Sequence, residues 1–446
     1  MKLRFAPSPT GNLHVGNVRQ ALINFLLAKQ LGGKFYLRMD DTDKERSKAE
    51  YAKQIRHDLN WLGLSWEELP NQLSRMPRYV EVAEQLKSRG LLYPCYETPE
   101  ELEVKRKLQI KQGKPPIYDR AALNITETER AELLSAGRKP HWRFKLDESN
   151  AEWNDLVRGH VEIPGGNLSD PVLIRADGLP LYTITSCVDD VDHDITHIIR
   201  GEDHVSNTAV QFQVFRALGR DPSSITFAHT SLLVNKDGSG LSKRLGSLSI
   251  ESLREQGIEP MAINSLLARL GTSLPIEPFH DLDTLADTFD LNSFSRASPK
   301  FDVDGLKLLN HKLYSSMDYG KVVGRLQDMN LSDIDAELWQ IIRENITTMA
   351  DCQPWHEVLC GTVTPVIEET DYIQEAKAHL PPQPWSETTW KQWTDAVKAA
   401  TGRKGKSLFM PLRQALTGQN HGPEMKILLP LIGYEKTIER LAKADD

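Results

Sequence analysis

The sequence predicts an α/β fold built on a parallel sheet, interrupted by an inserted domain and continued by an all-helical C-terminal region. Three observations carry that reading. Residues 2–6, 15–31 and 34–39 read as strand, helix and strand within about forty residues, the spacing of a βαβ unit with a right-handed crossover. A second strand at 195–200 precedes a helical pattern at 210–218. Beyond residue 300 strand signals fade, and 336–348, 388–400 and 408–417 carry helical spacing separated by Pro and Gly.

Each element has a local cause. Strand 2–6 runs into the turn-rich Pro7-Ser8-Pro9-Thr10-Gly11. The first helix places Val18, Leu22, Phe25 and Leu26 on one face and stops at Gly32-Gly33, residues that end helices readily. A mixed region from about 75 to 177 interrupts the two strand–helix halves and reads as the insertion.

The 446 residues, 39% hydrophobic and 26% charged, suit an ordinary globular protein of roughly two to four domains. No apolar run reaches the ~18–20 residues of a membrane span. The N-terminus lacks the apolar centre of an export signal. Four scattered cysteines do not make a disulfide framework. These features predict a cytoplasmic protein without a membrane. The net charge of −8 excludes a generic, histone-like polyanion binder. The charge is segregated, however: residues 1–50 carry +4 and the last forty-six +3, against −6 over 151–200 and −5 over 351–400. Dense basic stretches lie at Lys105, Arg106, Lys107, Lys111 and Lys114, and at Arg403, Lys404, Lys406 and Arg413. Either could be a solvated face or a phosphate contact.

The loop from the first strand into the first helix reads Pro7-Ser8-Pro9-Thr10-Gly11-Asn12-Leu13-His14-Val15-Gly16-Asn17. Ligands of open α/β sheets bind beyond the carboxyl ends of the strands, where this loop falls. A helix N-terminus offers unpaired N–H groups to phosphate. Gly16 admits a flat ligand close to the backbone, and His14 could donate to a phosphoryl oxygen. A lone His there would ordinarily be a cap.

The whole string closely resembles the first signature of class I glutamyl-tRNA synthetases, whose His-x-Gly-x tetrapeptide holds the ATP phosphates and adenine. Asn17 stands at the fourth position, a common variation in this family. Leu37-Arg38-Met39-Asp40-Asp41-Thr42-Asp43 resembles the family's Leu-Arg-Ile-Glu-Asp-Thr-Asp. Asp40 thus falls where the family has a glutamate contacting the substrate's amino group, one methylene short, so that a bridging water could fill the gap. Asp177 to Tyr182, Val188-Asp189-Asp190 and Thr196 to His204 are similar to the second half of the same domain. Gly240-Leu241-Ser242-Lys243-Arg244 resembles the second signature, Lys-Leu-Ser-Lys-Arg.

The resemblance implies a Rossmann-type class I synthetase catalytic domain with an inserted α/β acceptor-binding domain, then a helical stem-contact region and an all-α anticodon-binding domain. The expected layout is 1–75 and 179–233 for the catalytic halves, 76–178 for the insertion, 234–309 for the stem-contact region and 310–446 for the anticodon domain. It implies ATP-dependent ligation of L-glutamate to tRNA-Glu through a glutamyl-adenylate, with tRNA-Gln left open, Mg²⁺ as the triphosphate's counterion, and a monomer. His14 and Lys243 would be catalytic. Thr10, His14, Gly16, Asn17, His204, Ser242 and Lys243 would bind ATP; Arg4, Ser8, Asp40, Tyr182 and Arg200 would bind glutamate. An arginine fork suits a substrate with two carboxylates, although Arg200 could instead pair with Glu202 or Asp203. Arg403, Lys404, Lys406 and Arg413 would meet RNA phosphates. Some family members hold zinc in the insertion through a thiolate-rich set. The matching stretch here has only Cys95, which predicts no zinc, and Cys187 reads as a small buried residue in an apolar strand.

Four alternatives share parts of this pattern. A glutaminyl-tRNA synthetase would carry a β-barrel tail, and a short tRNA-modifying paralogue would lack the tail. A small-molecule nucleotidyltransferase would not need the basic 403–413 stretch. A non-catalytic paralogue would not need His14, Gly16 and Lys243.

Overall fold

The computed structural model describes residues 1–241 and 248–443. The chain divides into two compact units, Met1–Glu255 with Ile263–Asp302 and Gln256–Ala262 with Val303–Asp446.

The first unit opens with β1 (Lys2–Phe5), α1 (Val15–Gln30) and β2 (Lys34–Leu37). β1 and β2 are parallel, in register from Lys2 opposite Lys34 to Phe5 opposite Leu37. After α2 (Ala49–Trp61), the short β3 (Glu67–Glu68) adds parallel to the far edge of β2. α1 is buried on nearly every side, with Val15, Val18, Leu22, Ile23 and Leu26 inaccessible. The single face read from the sequence underestimated this because Arg19 and Asn24 are buried too. Main-chain carbonyls take up part of their hydrogen-bonding capacity: Arg19 donates to Ser231 at 2.7 Å and to Leu270 at 2.9 Å, and Asn24 to Ile199 at 3.1 Å.

α3 (Met76–Ser88) leads to β4 (Leu92–Cys95), α4 (Pro99–Lys111), α5 (Glu127–Ser135) and β5 (His141–Phe144). β4, β5 and the later β8 (Val172–Ile174) form a small antiparallel sheet. Between β5 and β8 lies the hairpin of β6 (Ala151–Asp155) and β7 (Gly159–Ile163). This hairpin joins a different sheet: β6 pairs with β10 in the order β7-β6-β10-β9.

α6 (Tyr182–Asp192), β9 (His197–Gly201), α7 (Val205–Ala217) and β10 (Thr226–Thr230) complete the central layer. The Thr196 N–H donates to the Lys2 carbonyl at 3.0 Å, so the chain enters β9 beside β1. The sequence order reverses across that junction, the switch point at which open α/β sheets leave a crevice. α7 begins five residues before the sequence pattern suggested. Its first turns carry Ser206, Asn207 and Thr208 rather than apolar residues, because Thr208 and Gln211 serve a buried arginine. Cys187 is fully buried as expected, but in α6 rather than a strand. Trp153, Phe212 and Phe227 pack with ring centroids 5.3–6.4 Å apart between β6, β10 and α7.

In the second unit every described segment is helix, turn or loop. Two of its buried tryptophans find partners: Trp339 donates to the Met317 carbonyl and Trp393 to that of Ala376, each at 2.8 Å. Gly422 is obligatory, since a Cβ there would lie 1.9 Å from the Trp355 ring.

Phe227→Ala should lower urea-measured stability of the first unit by about 3–5 kcal/mol. It removes an aromatic that packs against both Trp153 of β6 and Phe212 of α7.

Candidate active site

The site is assembled at the carboxyl ends of β1, β2 and β9. His14 is the N-cap of α1. Its Nδ1 accepts the Gly16 N–H at 3.1 Å, while the His14 N–H donates to Asn17 Oδ1 at 3.5 Å. The capping and functional readings of His14 are therefore compatible. A ring whose Nδ1 accepts carries its proton on Nε2. Burial lowers the imidazole pKa, favouring the neutral form. A Cβ on Gly16 would stand 2.9 Å from that ring, so this glycine is required by His14 itself. Thr10 and Ser8 are exposed on the same loop.

Ser242 and Lys243 lie outside the described residues, but both flanks of that segment are defined. Leu241 Cδ1 comes within 3.8 Å of where a Gly16 Cβ would stand. Ser249 forms an antiparallel bridge with His14, and the Ile250 N–H donates to the Leu13 carbonyl at 3.0 Å. The chain thus leaves and re-enters the described structure at the N-terminus of α1.

A cleft of about 660 Å³ opens beside this loop, lined by Ser8, Asp40, Arg46, Gln72, Arg175 and Tyr182 among others. Beneath it lies a buried ionic network. Arg38 donates from Nε to Asp40 at 2.7 Å and from Nη1 to Asp190 at 2.8 Å. Arg4 grips Asp190 through Nε and Nη2 at 3.1 and 3.2 Å. Burial alone would raise the Asp190 carboxyl, but the two guanidiniums outweigh it and hold it below its ordinary range. Asp40 goes the other way: burial pushes it up to about 6 against the pull of Arg38. Asp189 accepts from Arg75, Gln72 and the Tyr79 hydroxyl at 2.7, 2.9 and 2.8 Å.

Arg200 occupies a separate polar cage. It donates from Nη2 to Thr208 at 2.5 Å and Gln211 at 2.6 Å, and from Nη1 to the Tyr182 hydroxyl at 3.0 Å. His229 lies 2.8 Å from Thr208 and 2.5 Å from Asp155. The alternative pairing with Glu202 is not taken up; Glu202 binds Arg158 at 2.8 Å. His204 stacks on Tyr182 with centroids 5.7 Å apart. Burial, assisted by Arg200, lowers its pKa to about 4.

The expectation that Arg4 and Arg200 present whole forks to a ligand is corrected. A buried guanidinium must satisfy its N–H groups internally, and each arginine spends most of its fork on protein. Arg4 keeps Nη1 without a partner among the described residues, and Arg200 keeps one Nη1 hydrogen. The sequence reading missed Arg38, Thr208, Gln211, His229 and Asp155. The available signal was an arginine directly after one strand and a histidine inside another.

Among the basic candidates, Arg403 is bound to Glu369 at 2.5 Å and covers the Tyr372 ring at 4.0 Å. Arg413 is half-buried and donates to the Pro423 carbonyl at 2.8 Å. Both arginines already hold partners within the fold, while Lys404 and Lys406 are exposed. In the other stretch Lys105 meets Asp119 at 3.2 Å, and Arg106 and Lys107 face Glu103.

The cysteine count was an incomplete test for a metal in the insertion. Cys95 and His141 stand directly opposite on β4 and β5, and with Glu97 their ligand atoms lie within 4.8 Å of one another. Glu97 Oε2 and His141 Nε2 are buried without a hydrogen-bond partner, which fits a cation. The Cys95 thiol is pushed up to about 11 by burial, and Tyr118 donates to Glu97 at 2.7 Å.

Asp190→Asn should cost about 3–5 kcal/mol of unfolding free energy, since Arg4 and Arg38 would both lose a buried counter-charge; urea unfolding measures it.

Residues 1–308 match the family described as tRNA synthetases class I (E and Q), catalytic domain, and residues 363–445 the anticodon binding domain. The chain is 53% identical over 442 residues to glutamate--tRNA ligase 1 of Maricaulis maris, covering 99% of both chains. It is also 53% identical over 441 residues to glutamate--tRNA ligase 1 of Rhodospirillum rubrum, covering 98% of both. The crystal structure of a glutamate tRNA ligase from Elizabethkingia meningosepticum in complex with its amino acid superposes with a TM-score of 0.83 at 28% identity, over 100% of this chain and 99% of that one. A neutral histidine at a helix N-terminus, a carboxylate-and-arginine cleft at the switch point and these full-length relatives have one joint reading: the chain belongs to the glutamate--tRNA ligase family of class I aminoacyl-tRNA synthetases.

Proposed function

We propose that this protein ligates L-glutamate to the 3′ end of tRNA. The supporting observation is the junction of the α1 N-terminus, capped by a neutral His14, with the cleft of Ser8, Asp40 and Tyr182. The glutamate α-carboxylate attacks the α-phosphorus of ATP, forming glutamyl-adenylate and releasing pyrophosphate. A terminal ribose hydroxyl of tRNA then attacks the activated carbonyl and releases AMP. Neither step needs a protein nucleophile; positioning and charge stabilisation suffice.

In this reading His14 donates from Nε2 to a phosphate oxygen, Thr10, Gly16, Asn17 and His204 frame the nucleotide, and Ser242 and Lys243 bind the triphosphate. Mg²⁺ enters with ATP as its counterion. Asp40 faces the substrate ammonium through water, because its side chain is one methylene shorter than the family's glutamate and is drawn back by Arg38, which donates to Oδ1 at 2.7 Å and Oδ2 at 3.2 Å. Arg4 and Arg200 each contribute an Nη1 donor to a substrate carboxylate, with Ser8 and Tyr182 orienting it. Lys404 and Lys406 meet RNA phosphates. An ion in the insertion would be held by Cys95, Glu97 and His141 and would tie β4 to β5. We take the protein to act as a cytoplasmic monomer, on tRNA-Glu first and with tRNA-Gln as the competing substrate.

ATP–pyrophosphate exchange with glutamate or glutamine, with and without tRNA-Glu and tRNA-Gln, decides the function. Glutamate-dependent exchange is expected; its absence with every tRNA defeats the proposal. Gly16→Ala should reduce kcat/KM for ATP on the order of 10²-fold by displacing the His14 ring.

Asp40 also sets a pH dependence. Its folded pKa lies above its ordinary 3.8, so its charge is lost as pH falls through about 6. The KM for glutamate should therefore rise below pH 6, whereas in Asp40→Asn it should be higher throughout and flat across that window. Because the folded value is raised, ionised Asp40 opposes folding above pH 6. Lys404→Ala with Lys406→Ala should flatten the salt dependence of tRNA affinity by about 0.7–0.9 per lysine in log–log slope.

A further inference from the structure

We propose a divalent-cation site of the zinc class in the helical unit, formed by Asp333, His356 and Cys360. These side chains lie outside the machinery assigned above, and their ligand atoms fall within 4.8 Å of one another. His356 and Cys360 are one turn apart at the end of the helix Cys352–Leu359, so they share a face. That helix turns Trp355, Val358 and Leu359 inward to buried positions. Cys360 is exposed.

The third ligand comes from a turn that is itself fixed. Leu331 and Ile334 are buried on either side of Asp333, and the Ile334 N–H donates to the Leu331 carbonyl at 3.0 Å. Asp335 accepts from the N–H groups of Glu337 and Leu338 at 3.0 and 2.9 Å. The Asp333 side chain itself is exposed and can move. Its Oδ2 already stands 3.1 Å from His356 Nε2. Tetrahedral coordination with bonds of ~2.0–2.3 Å gives ligand–ligand edges of about 3.3–3.6 Å. The carboxylate–imidazole edge is close to that length, and small side-chain shifts bring the thiol to it.

The chemistry of the donor set selects the ion class. A thiolate, an imidazole and a carboxylate together suit Zn²⁺ rather than Mg²⁺ or Ca²⁺, which prefer oxygen alone. Three protein ligands on an exposed face leave water to complete the shell. The surrounding charges have both signs. Burial and the neighbouring Asp333 and Asp335 raise the Cys360 pKa, while Lys436 lowers it. The Lys436 ammonium is tethered to the Leu359 carbonyl at 2.8 Å. A bound cation would relieve the carboxylate–thiolate repulsion and fasten the 331–335 turn to the helix end.

Cobalt(II) titration of the full-length protein, in a non-thiol reductant, tests the site through thiolate-to-cobalt charge-transfer absorption and binding stoichiometry. The unaltered chain should bind one equivalent more than Cys360→Ser or His356→Ala, with a correspondingly stronger charge-transfer band. Asp333→Asn should weaken that same equivalent. Because the comparison is a difference, an ion held at Cys95 leaves it intact. Circular dichroism and pyrophosphate exchange should be unchanged in Cys360→Ser, separating metal loss from misfolding. Zn²⁺ should raise the Tm of the unaltered chain more than that of the variant. Equal stoichiometry and equal absorption in the unaltered chain and folded variants, or no cobalt uptake by the unaltered chain, overturns the proposal.

Discussion

Asp189 and Asp190, adjacent and almost wholly inaccessible in the last turn of α6, impose the constraint around which the candidate active site is built. Carboxylates at a helix C-terminus oppose its dipole, and two buried side by side carry a heavy desolvation cost. Arg4 and Arg38 converge on Asp190, and Arg75, Gln72 and Tyr79 on Asp189. Arg4 belongs to β1 and Arg38 follows β2, so one carboxylate fixes the carboxyl ends of two parallel strands against one helix. The crevice for ligand lies at those ends. Buried ion pairs are weak evidence of stability, but they specify register. A slip of β1 against β2 would separate Arg4 from Arg38 and leave Asp190 short of a partner.

The same economy governs Arg200. Thr208 and Gln211 hold its Nη2 and Tyr182 accepts from Nη1, while Asp155 orients His229 beneath Thr208. A surface arginine would pay side-chain entropy when it closes on a carboxylate. A caged one has already lost that freedom on folding, so a ligand meets a preorganised donor. In the role proposed for Arg200, one Nη1 hydrogen is available rather than a whole fork, and its direction is set by protein contacts. Charge is handled similarly at His204, which Arg200 and burial together keep neutral. His204 therefore adds no positive charge beside Arg200.

The legible parts of the sequence were those dominated by local rules. Val18, Leu22 and Leu26 announced α1, the glycines announced its end, and the His14–Asn17 string announced the loop that caps α1, because the cap depends on contiguous residues. Arg38 was not legible as an organiser, since Asp190, its partner, is 152 positions away. The commitment of Arg4 and Arg200 to internal bonds was hidden for the same reason. His141 escaped a metal reading that counted cysteines, because only the β4–β5 register places it opposite Cys95. The early start of α7 was obscured because Thr208 and Gln211 obey a tertiary demand for hydrogen bonds rather than an apolar period.

That distinction also resolves the meaning of the basic residues. Arginine appears where a cation must be buried or stacked: Arg4, Arg38 and Arg200 in the first unit, Arg403 over Tyr372 and Arg413 against a main-chain carbonyl in the second. Its delocalised, weakly hydrated fork tolerates desolvation and fills several hydrogen bonds at once. Lysine remains where hydration is retained, as at Lys404 and Lys406. A count of basic side chains in the 403–413 stretch therefore overstates its freely hydrated charge, because Arg403 and Arg413 already hold partners within the fold. The chain's net charge of −8 and its basic stretches are consistent for that reason. What can meet a polyanion is set by the cations left hydrated after folding, and in this stretch those are the lysines.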